Sequence, residues 1–337
     1  MVSKTLNLFV VIFILKKFLK KFRLYGLAEY VYGRYLTYRS WLIKSEQAIE
    51  MQKFGRYAEI GVGHYKLLLD RSELHDFQML KIFESGGNYE AEVSSYLEKI
   101  LKPGDTFVDI GANNGYYSIL AANIVGSNGK IVSIEPNPNA FQRLLRNIKI
   151  NNITNITALN IALSDHDGRA TLFLNRGSED GLASLVKSEQ AQALCEVELR
   201  RFDHLFAEEE ISIVKMDVEG AEIDIIKGMR NYLKNHKGMR IIMEWNPLYR
   251  TKSDFDYLRN LFQIYILVTS NNSEPKLIEA KRFEDLSFLC NVLLIQRAIT
   301  RESGVILALP ERAGLRLAER GSPEESVQYH LFARSCA

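Results

Sequence analysis

The chain has 337 residues, 47% of them hydrophobic and 25% charged, a composition that folds into globular domains and excludes both a disordered chain and one built from several membrane spans. Its 43 basic and 41 acidic residues leave a net charge of +2, too even a balance for a protein that holds nucleic acid on a basic face. Three widely spaced cysteines (Cys195, Cys290 and Cys336) and six histidines, among them His64, His75, His166 and His204, lack metal-ligand spacing, so no preformed zinc site is expected and a reducing, cytoplasmic setting fits.

Residues 1–25 open with the apolar run Leu6–Leu15 (LNLFVVIFIL), followed by Lys16, Lys17, Lys20, Lys21 and Arg23. Ten residues cannot span a bilayer, and the charges follow the apolar run instead of preceding it as in a secretory signal. Two readings stand: an anchor lying in the membrane surface with its lysines on anionic headgroups, or a helix packed on the rest of the protein. Residues 26–104 form a largely helical lead-in, in which Glu84–Leu101 reads as a helix stopped by Lys102, Pro103 and Gly104.

From residue 105 to 298, short β-branched runs alternate with amphipathic stretches, the signature of βαβ units and a parallel sheet. Strands are predicted at 106–112, 130–135, 156–163, 211–218, 240–245, 265–270 and 289–295, with helices at 115–125, 139–151 and 221–229. The last two strands have no helix between them and are expected to pair antiparallel. The fold class is therefore α/β: a Rossmann-like, doubly wound, mainly parallel sheet of seven strands with an antiparallel end strand.

The first strand runs into the turn VDIGANNGYYS, Val108–Ser118. Ligands of open α/β sheets bind at such strand ends, and Gly111 and Gly115 permit a tight turn with close backbone approach. The spacing is not G-x-G-x-x-G, because Asn113 stands where a dinucleotide fingerprint has its second glycine, and Asp109 adds a negative charge better suited to a cationic ligand than to a diphosphate. Glu135 ends the second strand, where an acid accepts ribose hydroxyls; alternatively it caps the helix that follows Pro136. Asn175–Gln190 is a long polar loop of the kind that shapes acceptor pockets.

Further on, VKMDVEGAE places Lys215, Asp217 and Glu219 on one face of a strand end, with Met216 and Val218 on the other. These three, with Glu244 at the end of the next strand before Asn246 and Pro247, are the candidate catalytic residues, Asp217 foremost, with base, metal ligand and donor clamp as its open roles. Capping of the following helix is the competing role for Glu219 and Glu222. Beyond residue 298, lysine and asparagine vanish from GLRLAERGSPEE and its surroundings, so residues 299–337 read as an appended, poorly ordered tail.

Taken together, VDIGANNGYYS, SIEPNP, NIALSD and VKMDVEGAE, spread over roughly residues 85–297, resemble the FkbM family of methyltransferases. The resemblance implies a class I methyltransferase domain, S-adenosylmethionine as donor, and an oxygen acceptor on a sugar, glycan or polyketide-type metabolite. It implies that Asp109, Gly111, Asn113 and Gly115 hold the methionine end of the donor, that Glu135 holds the ribose, and that Asn160, Ile161 and Ala162 line the adenine. Ile161 departs from the broader pattern, which often has Asp there, leaving adenine to backbone bonds and packing. Tyr89 and Glu90 resemble the family's lead-in and either close over the donor or merely start a helix. The rival readings are an NAD-dependent oxidoreductase on a similar sheet and an inactive binding or scaffold protein.

Overall fold

A computed structural model describes residues 25–175, 183–187, 191–247, 249–269 and 274–297. The apolar run before Tyr25, the tail after Arg297 and most of the Asn175–Gln190 loop lie outside the described residues. The chain divides into two compact units: the residues up to Tyr57 with Asp70–Glu73, and Ala58–Leu69 with everything from Leu74 onward.

The first unit is dominated by helix α1 (Tyr25–Phe54). On one side of it, buried Gln47 donates to the Arg71 carbonyl at 3.1 Å, while Arg56 forms a two-pronged ion pair with Asp70. The other side carries Tyr38, Trp41, Leu42 and Ile49, all exposed. No helix among the described residues is long and apolar enough to cross a membrane.

The second unit begins with a hairpin, β1 (Tyr57–Val62) and β2 (Tyr65–Asp70), whose end residues Tyr57 and Asp70 count with the first. Helices α2 (Leu74–Glu84) and α3 (Ala91–Ile100) follow. The single helix expected over Glu84–Leu101 is thus only α3: Gly86, at φ 77°, with Gly87 and Asn88 breaks the pattern between the two.

Next come β3 (Thr106–Ile110), α4 (Tyr116–Val125), β4 (Lys130–Ile134), α5 (Pro138–Ile150), β5 (Ile156–Leu159), β6 (Ala162–Ser164), β7 (Gly168–Asn175), β8 (Ala183–Ser184) and β9 (Ala191–Arg201). A short helix, α6 (Phe202–Leu205), leads to β10 (Ile213–Met216), α7 (Glu222–Gly228), α8 (Arg230–Asn235), β11 (Arg240–Trp245), α9 (Lys252–Leu261), β12 (Phe262–Val268), β13 (Lys276–Glu279) and β14 (Cys290–Gln296). The main sheet has eight strands in the order β13-β12-β14-β11-β10-β3-β4-β5. β3 pairs parallel with both β4 and β10, which makes the gap between β3 and β10 the point where the chain's winding reverses.

Three details differ from the sequence expectation. The last two expected strands do pair antiparallel, but β14 inserts between β11 and β12 and runs against both, so that the antiparallel strand at the edge is an additional eighth one, β13. Antiparallel neighbours need only short links, so the C-terminal strands can fold back on one another and insert. The run 156–163 is not one strand, because Asn160 turns its side chain to the carbonyls of Glu135 and Pro136 (2.8 and 3.1 Å) and the chain leaves the sheet. Its continuation, β6, instead pairs with β9 in a separate four-stranded sheet, β6-β9-β7-β8.

Strand periodicity sorts the core onto two faces of the main sheet. Val108, Ile110, Val214, Met216, Ile241 and Met243 pack on one side; Phe107, Ile213, Ile242 and Leu293 pack on the other with α2, α3 and α4 residues such as Met79, Leu97 and Ile119. Asp109, Lys215 and Glu244 stand at the strand ends on this second side, as the alternation requires.

Candidate active site

Asp109 is fully buried at the end of β3. Its Oδ2 accepts a 2.6 Å hydrogen bond from Ser118 on α4, and the Ser118 hydroxyl is in turn 2.7 Å from that of Ser133 on β4. Its Oδ1 has no hydrogen-bond partner. Burial pushes the Asp109 pKa up, opposed chiefly by the charge of Lys215, which lies directly across from it in the register of β10.

The turn that follows needs three left-handed residues: Gly111 (φ 81°), Asn113 (φ 50°) and Gly115 (φ 90°). At Gly111 the backbone passes so close to the next strand that a Cβ would overlap the Asp217 carbonyl. The turn's amides are committed internally: Gly111 and Ala112 donate to the Ile134 carbonyl, Asn113 to Glu135 Oε2, Gly115 to the Ala112 carbonyl and Tyr116 to Asn114 Oδ1. A diphosphate binds such a turn through amides aimed outward, and these five aim at protein.

Glu135 accepts the Asn113 amide on one oxygen and the Asn137 amide on the other, each at 2.8 Å. Burial pushes its pKa up to about 7 against the pull of those amides and of Arg143. Helix capping falls to Asn137, whose side chain accepts the Asn139 amide. Glu135 therefore ties the turn to β4, and each carboxylate oxygen retains a second lone pair for a hydroxyl donor. Of the expected adenine segment, Asn160 is exposed and braces the residue 135–136 backbone, Ile161 packs against the core, and Ala162 is buried at the start of β6.

Glu90 stands at the start of α3 in a left-handed conformation (φ 39°), but its side chain does not cap that helix. It accepts a 2.6 Å hydrogen bond from the Tyr117 hydroxyl. Tyr117 also lies under Lys215, whose Nζ sits 4.7 Å from the ring centroid and donates to Asp217 Oδ2 at 3.1 Å. Lys215 is thus buried between an aromatic face and carboxylates, the arrangement that makes a desolvated ammonium tolerable. The expected sharing of a face by Lys215 and Asp217 is observed.

Glu219 is not on the strand: the chain turns at φ 55° there, and its carbonyl accepts from Ser184. The turn nonetheless returns its carboxylate to Asp217 and Glu244, the three groups lying within 4.8 Å of one another. Such a spacing suits hydroxyl donors or a hard cation; Lys215 supplies a positive charge to the cluster from within the chain. Glu222 takes no place in this group. It is buried, accepts the amides of Val218 and Gly220, and forms an ion pair with Arg250, clamping the turn from behind. Exposed Val186 and Tyr249 pack against Gly220 beside the carboxylates.

Sequence reasoning missed Ser118, Asn114, Tyr117, Arg143 and Asp76. The first three lie in or beside the quoted motif, where their polarity was the available signal; Asp76 and Arg143 carry none, since only the fold brings them to the turn.

Residues 109–267 match the profile of the methyltransferase FkbM domain. The chain is 26% identical over 149 residues to Methyltransferase 1 of Beauveria bassiana, a match covering 38% of this chain and 59% of that protein. It is 29% identical over 85 residues to a protein-L-isoaspartate O-methyltransferase of Caenorhabditis elegans, covering 25% of this chain and 38% of the other. The chain thus spans between two-fifths and three-fifths of the length of these curated relatives. Among solved structures, methyltransferase FkbM of Methylobacillus flagellatus aligns over 66% of this chain and 54% of that one, with 15% identity and a TM-score of 0.38.

Proposed function

We propose that this chain, whose residues 109–267 form an FkbM methyltransferase domain, transfers the methyl group of S-adenosylmethionine to a hydroxyl oxygen of a sugar, glycan or related metabolite. The observation that carries this reading is the junction of two turns: the Gly111 backbone rests on the Asp217 carbonyl, and Lys215 faces Asp109 across the register. A donor on the first turn and an acceptor on the second are then held in contact, and positioning is the largest service an enzyme gives to such a transfer.

The residues fit the donor. The unpartnered Oδ1 of Asp109 suits its ammonium group, and Glu135 suits its ribose hydroxyls. When bound, S-adenosylmethionine supplies an electrophilic methyl group whose transfer to oxygen breaks a C–S bond and releases the acceptor's proton. Asp217 takes that proton, Lys215 fixes the orientation of its carboxylate, and Glu219 and Glu244 accept neighbouring hydroxyls of the acceptor. Three carboxylates favour a polyol over an anionic acceptor, and the exposed Tyr249 ring offers a face for a sugar. The committed amides of the turn weigh against the NAD-dependent alternative.

The test is calorimetric titration with S-adenosylhomocysteine and, separately, NADH, on the wild type and Asp109→Ala. Micromolar binding of the nucleoside product that the substitution abolishes is expected; binding of NADH alone would overturn the reading.

For location, we read the exposed side of α1 as facing an anionic membrane at the cytoplasmic surface. Tyr38, Trp41, Leu42 and Ile49 fall within about 100° of arc on an α-helix, and five basic residues precede the helix between positions 16 and 23. Aromatic residues and lysines are the usual interfacial anchors. Full-length protein is expected to float with phosphatidylserine liposomes, and both Trp41→Ser and removal of residues 1–23 to reduce flotation. Equal flotation of all three proteins would sink the idea.

A further inference from the structure

We infer that Asp76, which lies outside the matched domain on α2, is a positioning residue for the donor-binding turn; the inference rests on the donor reading above. Its carboxylate is wholly buried, and Oδ1 accepts a 2.8 Å hydrogen bond from Asn114 Nδ2. Oδ2 stands 3.7 Å from Nε of Arg143 on α5, and Arg143 Nη2 donates to Asn113 Oδ1 at 3.0 Å. Asp76 therefore holds both asparagines of the turn, one directly and one through Arg143. From the remaining side, Asn147 donates to the Asn114 carbonyl at 2.8 Å.

The turn needs this support. Three of its five residues are left-handed, and one of these, Asn113, is not glycine, a conformation that persists only where the surroundings over-determine it. Asn113 also delivers the amide that orients Glu135, so the network runs from Asp76 through Arg143 and Asn113 to the expected ribose acid. The neighbouring His75 ties the same end of α2 to the far side of the site: its Nε2 is 3.0 Å from the Tyr89 hydroxyl, and the Tyr89 ring packs edge-on against Tyr116, the first residue of α4. The beginning of α2 thus grips the turn and the helix after it.

Asp76→Asn is the probe, because the amide keeps the shape and an acceptor for Asn114 but loses the charge that faces Arg143. Calorimetry should give about a tenfold weaker affinity for S-adenosylhomocysteine, with Arg143→Met giving a similar loss. A merely structural role would lower affinity equally in any background, whereas a role exerted through Asn113 should largely vanish in Asn113→Gly, which keeps the turn's conformation but removes the link. Thermal unfolding of each variant is followed in parallel. Wild-type affinity in Asp76→Asn, or the same loss with and without Asn113, overturns the inference while leaving the donor reading intact. Failure of the wild type to bind S-adenosylhomocysteine overturns the donor reading itself, and the inference with it.

Discussion

The turns after β3 and β10 abut at the reversal point of the sheet, yet they are held in place by different means. The Gly111–Gly115 turn spends its amides on its own neighbours and is braced by neutral or paired side chains, leaving one buried carboxylate oxygen without a partner. The turn from Asp217 to Gly220 is fixed from behind by the buried Glu222–Arg250 pair, and its forward side carries carboxylates. A cofactor that is the same in every turnover is served by a fixed backbone shape, whereas proton removal needs an ionisable group with some freedom. The contrast fits the proposal that the first turn binds the donor and the second carries the chemistry.

The strongest test of that division is Gly111→Ala, which affects both turns at once. Its Cβ would collide with the Asp217 carbonyl from a left-handed backbone, so unfolding free energy should fall by about 3 kcal/mol or more and donor binding should be lost. Denaturant titration with parallel calorimetry checks this, and near-wild-type stability would mean that the turns do not touch as described. Asp217→Asn should separate the functions: turnover with labelled donor falls by about a hundredfold or more, while affinity for S-adenosylhomocysteine changes by less than about threefold, since the hydrogen bonds that hold Asp109 and Glu135 run to Ser118, Asn113 and Asn137 and only the charge of Asp217 acts on Asp109.

The smallest expected effect is a pH dependence confined to the first turn. Glu135, with its pKa raised to about 7, holds a proton in the folded state at pH values where the unfolded chain has released it. Its contribution to stability is therefore present below its ordinary range and is lost as pH rises from about 4.5 through 7. Hydroxyl donors prefer the ionised carboxylate, so donor affinity should instead rise severalfold between about pH 6 and 8, and this rise should flatten in Glu135→Gln. An identical profile in that variant would shift the effect to Asp109, whose pKa burial also raises.

The same contrast explains what could be read in the sequence. A backbone-built turn leaves its mark as glycines after a β-branched run, as after β3 and β10, while β4 and β11 were legible as β-branched runs that end before a proline. Lys215 and Asp217 followed from strand alternation. The position of Glu219 did not, since a left-handed residue ends the alternation and only the fold shows the carboxylate returning. Gly86 and Gly87 were a visible break that a run of helix-forming residues concealed. The second sheet was hidden because its entry depends on an asparagine side chain choosing two carbonyls, and Asp76 because its partners meet it only after α5 has packed.

The serines behind Asp109 carry a consequence in the counting of protons. A hydroxyl has one hydrogen to give, and when Ser118 gives its own to the carboxylate, the contact with Ser133 must be donated by Ser133. The ionisation of a single side chain thus sets the direction of every link in a chain running from β4 through α4 to β3. Loss of Ser133 would remove only the outermost link, whereas loss of Ser118 would break both links and take away the hydroxyl that donates to the carboxylate.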